Sequence, residues 1–171
     1  MTSKEFELIK EMLQMQAKLD ESIMKEYGLN EIDEENLRMA ILDEIGELTH
    51  ELKGNWCWWK KTQAPVDNDK VLGELVDIFH FVLSYQNNFN GGGNGILNAL
   101  MFEGNSDNIL NLLMNNEYKL SETLTDLAIL NIHKMERLVA ISEYLGFTVE
   151  QVYEAYCKKN KINYQRLKEG Y

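Results

Sequence analysis

Two pairs of acidic residues are the part of this sequence best suited to chemistry. Glu44 and Glu47 lie three positions apart, and so do Glu74 and Asp77. Residues at this spacing share one face of a helix, so each pair can direct two carboxylates at one point. Four converging carboxylates form a cage of hard oxygen ligands. Mg²⁺ is the expected occupant and Mn²⁺ a substitute, because the cage lacks the cysteine and histidine ligands typical of zinc.

Such a cage suits phosphate chemistry. Bound magnesium ions neutralise phosphate oxygens and lower the pKa of a bound water, and a neighbouring carboxylate can accept the proton of that water. Iron is the alternative that we disfavour. Asp77 and His80 form an Asp-x-x-His pair that would suit iron, but a di-iron bundle requires a second such pair.

The two acidic pairs differ in how well a surface role explains them. The chain carries 28 Asp and Glu residues, so Glu44 and Glu47 alone are more typical of a solvated helix face. Glu74 and Asp77 lie within residues 71–85, which are apolar in nearly every helical direction and contain no lysine or arginine. Carboxylates on a buried helix are costly unless they are paired, protonated or bound to a metal. The second pair therefore favours the metal site.

Two adjacent helices are needed to bring the pairs together. Acidic residues at 33–35 favour a helix start, and this helix is expected to reach the tryptophans at 56–59 and to end before Pro65. Residues 67–69 offer N-caps for the next helix. The short connection predicts that the two helices are antiparallel neighbours.

Apolar residues recur at helical spacing through most of the remaining chain, which predicts an all-α helical bundle in one domain, residues 1–171. A first helix passes through Phe6, Ile9 and Leu13. The Gly/Asn-rich segment from about 91 to 120 is interpreted as an insertion with a short helix at 109–114. Ser121 is expected to cap one long helix that stops at Gly146. A capping box at 148–151 opens the last helix.

The composition limits the partners and the compartment. The formal net charge is −11 at pH 7, so neither nucleic acid nor an anionic membrane is an expected partner. Two cysteines, Cys57 and Cys157, give no disulfide framework. The N-terminus has no apolar signal core, and no apolar run is long enough to span a bilayer. We therefore expect a soluble, cytoplasmic protein.

Four motifs together resemble the dimeric dUTPases, a branch of the all-α nucleoside triphosphate pyrophosphatase superfamily that includes the MazG-like enzymes. They are "MQAKLD", "EIGEL…NWCWWKK", "GELVDIFHFVLS" and "CKKNKINYQRLKEGY", in this order. The resemblance implies hydrolysis of dUTP to dUMP and pyrophosphate, with dUDP as a further substrate. Glu44, Glu47, Glu74 and Asp77 would hold magnesium, and either Glu44 or Glu47 would activate the attacking water.

The resemblance also implies a set of substrate-binding residues, each with a plainer structural alternative. Gln16 would face the uracil and Trp56 and Trp59 would wall the base pocket, whereas Trp58 is expected to close the core. The remaining candidates are positions of the motifs that would meet the nucleoside or the phosphates: Lys60, His80, Phe81, Lys158, Asn163, Arg166 and Tyr171. Lys60 could instead end a helix, His80 could be a core histidine, and the C-terminal group could be a basic tail that balances an acidic protein.

Partners and alternatives follow from the same resemblance. It implies a homodimer that binds a deoxyuridine nucleotide. Some phage-encoded members of this family are bound by repressor proteins, so a regulatory partner of this type is compatible with the sequence. The alternatives are a related pyrophosphatase that acts on dCTP or on several nucleotides, and a helical protein-binding module without activity. The insertion at about 91–120 matches nothing that we assign in the catalytic core.

Overall fold

The computed structural model describes residues 1–89 and 105–170. These residues form eight α-helices and no strand, which confirms the all-α prediction. The helices are α1 (Ser3–Tyr27), α2 (Glu34–Glu51), α3 (Lys53–Trp56), α4 (Asn68–Phe89), α5 (Asn105–Met114), α6 (Leu120–Ile129), α7 (Lys134–Tyr144) and α8 (Val149–Glu169). None of the described helices is long and apolar enough to cross a membrane.

Side-chain caps set the first residues of the helices that build the site. Asp33 accepts a hydrogen bond from the backbone N–H of Asn36 at 2.8 Å and so starts α2. Thr148 and Gln151 form the predicted capping box at the start of α8. Such caps satisfy N–H groups that have no partner within the helix. Each cap therefore sets where its helix begins, and with it the side of α2 or α8 from which each functional side chain projects.

Helix α4 is the centre of the bundle, since it contacts α1, α2, α7 and α8. Its apolar residues are buried on several sides, among them Leu75, Ile78 and Val82. Helix α2 packs along α4 and buries Ile41 and Leu48 against it. This packing confirms that the two helices that carry the acidic pairs are neighbours.

The chain between α6 and α8 differs from the prediction. One long helix from Ser121 to Leu145 was expected, but two helices form, and a break at 130–133 separates them. Leu130, directly after α6, has extended backbone angles, and His133, directly before α7, has a left-handed φ of 56°. The buried Lys134 then donates from Nζ to the carbonyl oxygens of Leu127 and Ala128, at the end of α6. Because apolar residues continue at helical spacing across the break, this spacing does not show where the helix is interrupted.

The predicted insertion is only partly described. Residues 90–104, with the glycine run, lie outside the described residues. The short helix expected at 109–114 begins earlier, at Asn105. It packs against α7, so this part of the predicted insertion belongs to the bundle.

Candidate active site

The packing of α2 on α4 brings the acidic residues together. Glu44, Glu74 and Asp77 each offer a carboxylate oxygen, and these atoms all lie within 4.8 Å of one another. All three side chains are half-buried. Glu47 is more exposed, but its charge also acts on Glu44, Glu74 and Asp77.

These carboxylates are held in an unfavourable environment. Burial, and then the charges of Asp77, Glu47 and Glu74, raise the pKa of Glu44 to about 7. Burial and the charges of Glu47 and Asp77 likewise raise the pKa of Glu74. A divalent cation would relieve both the burial cost and the repulsion. The donor set, which consists of carboxylate oxygens, fits magnesium or manganese.

Lys159, on α8, is a cationic residue that contacts this cluster. Its Nζ donates to Asp77 Oδ2 at 2.5 Å. The residue predicted from the sequence was the neighbouring Lys158, which is exposed. Lys159 lies four and seven positions before Asn163 and Arg166, so it shares their helix face, and this spacing was the signal that could have identified it.

A second pair of residues bears on the choice of metal. Glu47 and His50 also form a Glu-x-x-His pair, the pattern that iron would require. In the structure His50 is exposed, and its Nδ1 lies 2.6 Å from Lys53 Nζ. His50 is not part of the carboxylate cluster, so the pair gives no support to iron.

A pocket of about 680 Å³ opens beside the carboxylates. Its wall combines residues of α1, α2, α4 and α8 with the loop before α2. The predicted site residues that line it are Gln16, Glu44, Asp77, His80, Phe81, Asn163 and Arg166. Asp20 and Lys159 also line it, and neither was predicted from the sequence. The pocket therefore connects the carboxylate cluster with a cleft that is lined by polar and aromatic side chains.

The tryptophans lie outside the pocket. Trp56 donates from Nε1 to the Thr49 carbonyl oxygen at 2.8 Å, and its ring centroid lies 5.6 Å from that of Trp59. Both side chains are exposed and neither lines the pocket, and the same holds for Lys60. Their part in substrate binding stays a prediction. The expectation that Trp58 closes the core is wrong, because this side chain is 88 % exposed.

Some of the C-terminal candidates line the pocket and others do not. Asn163 and Arg166 line the pocket, whereas Lys158 does not. Tyr171 lies outside the described residues. Arg166 also exerts a favourable charge effect on Asp77, so its guanidinium lies in the field of the acidic cluster.

The pocket has a buried polar floor. His80 is 4 % exposed and its ring stacks on that of Tyr156, with centroids 4.2 Å apart. Burial lowers the pKa of His80 to about 3, so the imidazole is neutral at physiological pH. This histidine is therefore both buried and at the pocket wall, and its contact with the nucleoside stays a prediction.

The site has the parts of an all-α nucleotide hydrolase, namely a carboxylate cluster, a basic helix face and an adjoining cleft. A model of the family described as dUTPase matches residues 8–171. The chain therefore belongs to the all-α dUTPase family, and it is a dUTP diphosphatase. Comparison with curated proteins gives no significant match.

Proposed function

We propose that this enzyme hydrolyses dUTP to dUMP and pyrophosphate in a magnesium-dependent reaction, with Mn²⁺ as a substitute metal. The observation that carries the proposal is the group of three carboxylates within 4.8 Å, placed at the wall of the 680 Å³ pocket. Glu44, Glu74 and Asp77 would hold the metal, together with Glu47. When bound, the metal would supply charge neutralisation at the phosphates and a more acidic bound water.

The residues of this chain have separate roles in the proposal. Glu44 or Glu47 orients the attacking water and accepts its proton, as a carboxylate near the reacting phosphate can. Arg166 suits a phosphate because its guanidinium can donate to two oxygens at once. Asn163 and Lys159 lie on the same face of α8 and complete a polar wall opposite α2. His80, Phe81 and Gln16 form the part of the pocket that would receive the nucleoside.

Substrate range is a further part of the proposal. Since the metal cluster meets only phosphates, it would treat dUTP and dUDP alike, and the base must be selected in the cleft. A preference for dCTP, or a broad range, is the alternative among related enzymes. The other alternative is a helical protein-binding module without enzymatic activity.

A nucleotide panel tests the substrate. We expect pyrophosphate release from dUTP in Mg²⁺, and release of inorganic phosphate from dUDP, at rates well above those for dCTP, dTTP and UTP. Faster turnover of dCTP would support the dCTPase alternative. No release from any nucleotide would support the binding module.

The homodimer, a regulatory protein partner and a cytoplasmic location complete the proposal. Met39 and Leu42 are large apolar residues of α2 that are more than half exposed, as expected of a face that a second copy covers. Cys57 and Cys157 are free thiols, which suits a reducing compartment. Sedimentation equilibrium tests the dimer, and a monomer at micromolar concentration would contradict it.

A further inference from the structure

Gln16 is enclosed by protein groups although it lines the pocket. Its side chain is 4 % exposed. The Tyr156 hydroxyl donates to Gln16 Oε1 at 2.8 Å, and His80 Nδ1 lies 2.8 Å from the same oxygen. Gln16 Nε2 donates to Asp20 Oδ1 at 2.7 Å. An amide oxygen has two lone pairs, so two protein donors use the full capacity of the Gln16 carbonyl.

This arrangement determines the tautomer of His80. The Asp20 carboxylate accepts from the amide nitrogen of Gln16, so the amide oxygen faces Tyr156 and His80. An amide oxygen can only accept, and His80 must therefore donate from Nδ1. A neutral imidazole with its proton on Nδ1 keeps a lone pair on Nε2. That Nε2 is buried and has no hydrogen-bond partner among the described residues, while His80 itself lines the pocket.

We propose that Gln16 and Tyr156 are positioning residues that fix His80 as the Nδ1–H tautomer, so that His80 Nε2 accepts a hydrogen bond from the nucleotide. The deoxyuridine nucleotide offers two suitable donors, the N3–H of the base and the 3′-hydroxyl of the sugar. The inference rests on the proposed function for the identity of this nucleotide. It changes the role expected of Gln16, which acts on the substrate through His80 and does not contact the uracil with its carbonyl.

Tyr156 ties this network to the fold. It comes from α8, Gln16 from α1 and His80 from α4, so the three side chains join three helices. The Tyr156 ring is fully buried and lies nearly parallel to the His80 ring, at 22°. The stacking limits the tilt of the imidazole, and the hydroxyl limits the rotation of the Gln16 amide. Loss of the hydroxyl alone would therefore loosen the amide while the stacked ring remains.

The direct test is the ¹⁵N NMR signature of the His80 ring in nucleotide-free protein. The chain has three histidines, and the other two, His50 and His133, are exposed, so His80→Asn assigns the signals. We expect a protonated Nδ1 and an unprotonated Nε2 in the wild type. Gln16→Met should shift the ring toward the Nε2–H form. It should also raise the KM for dUTP about three- to tenfold, the effect of one hydrogen bond, with a smaller change in kcat.

Tyr156→Phe tests the second positioning residue, and the same helix provides its control. Tyr156→Phe should shift the tautomer and KM in the same direction as Gln16→Met, by a smaller amount. Tyr153, also on α8, donates from its hydroxyl to Glu11 Oε2 of α1 at 2.7 Å, and it does not line the pocket. Tyr153→Phe should leave both readouts unchanged. If Tyr156→Phe does not fold, Gln16→Met tests the same link from its other end.

Nucleotide binding tests the acceptor role of Nε2. Saturation with the non-hydrolysable α,β-imido analogue of dUTP should move the His80 Nε2 signal. The N3-methyl and 3′-deoxy forms of this analogue distinguish the two donors, because the form that lacks the relevant donor should fail to move it. An Nε2–H ring in the wild type, an unchanged tautomer in Gln16→Met, or an Nε2 signal that no analogue moves would overturn the inference. The tautomer of His80 in nucleotide-free protein does not depend on dUTP turnover. Failure of this inference can therefore be told apart from failure of the proposed function.

Discussion

Burial and three neighbouring negative charges raise the pKa of Glu44 to about 7. In the unfolded chain this glutamate has its ordinary value near 4.5. The folded protein therefore holds a proton that the unfolded chain has released between these two values. This contribution to stability is complete below about pH 4.5 and is lost as the pH rises to about 7.

The first prediction follows from this loss of stability with rising pH. In EDTA, the free energy of unfolding of the wild type should fall between pH 5 and pH 7.5 by about 1 kcal/mol more than that of Glu44→Gln, after allowance for solvent screening. Urea unfolding at the two pH values measures the difference. Equal pH dependence in the two proteins would show that Glu44 is not held in a repulsive cluster.

Lys159 provides the second prediction, because its ammonium is the counter-charge of Asp77. A metal ion at Asp77 must compete with this ion pair. Lys159→Met should therefore bind Mn²⁺ about three- to tenfold more tightly in the absence of nucleotide, as loss of a pair worth about 1 kcal/mol implies. It should nevertheless hydrolyse dUTP more slowly, since the pocket wall formed by α8 loses a positive charge that would face the phosphates.

Isothermal titration with Mn²⁺ and steady-state kinetics measure the two effects separately. Lys161 is an exposed lysine of the same helix, so Lys161→Met is the matched control and should change neither. Weaker Mn²⁺ binding by Lys159→Met would contradict the competition.

At the scale of the helices, the break between α6 and α7 depends on one buried cation. Lys134 satisfies two carbonyl groups at the end of α6, and its Nζ also lies 5.0 Å from the centre of the Tyr85 ring. The third prediction is that Lys134→Met lowers the free energy of unfolding by about 1–3 kcal/mol, the cost of buried carbonyls without a partner. Chemical denaturation measures it. Lys119→Met, at an exposed lysine before α6, should have a much smaller effect. A Lys134→Met protein no less stable than Lys119→Met would contradict the capping role of Lys134.

The helices also show what the sequence could predict. Periodicity and capping residues identified α2, α4 and α8, because these helices carry apolar residues at helical spacing and begin at recognisable caps. The break at 130–133 was missed, since a change of backbone conformation leaves no mark in apolar spacing. The carboxylate pairs could be found because each is local to one helix. Lys159 could have been found from its spacing with Asn163 and Arg166, and Asp20 from its spacing with Gln16 on the same helix. Tyr156 could not, because its partners Gln16 and His80 lie on other helices and pairing between helices depends on packing.

At the scale of the whole molecule, the acidic cluster links metal binding to stability. A ligand that binds only the folded state raises the free energy of unfolding, and here it would also remove repulsion between Glu44, Glu74 and Asp77. The fourth prediction is that Mg²⁺ at about 100 times its Kd stabilises the wild type by about 3 kcal/mol. Asp77→Asn should lose most of this gain. Urea unfolding with NaCl at matched ionic strength is the control, and an equal gain from NaCl would indicate general screening of the net charge of −11.

The central claim is that carboxylates of α2 and α4 hold a metal that dUTP hydrolysis requires. The most direct measurement is pyrophosphate release from dUTP by EDTA-treated enzyme, before and after Mg²⁺ is restored, for the wild type and Glu74→Gln. We predict no release in EDTA, full recovery in Mg²⁺ for the wild type, and a loss of at least about a hundredfold in kcat for a folded Glu74→Gln. Turnover of dUTP that persists in EDTA, or that Glu74→Gln retains, would contradict the claim.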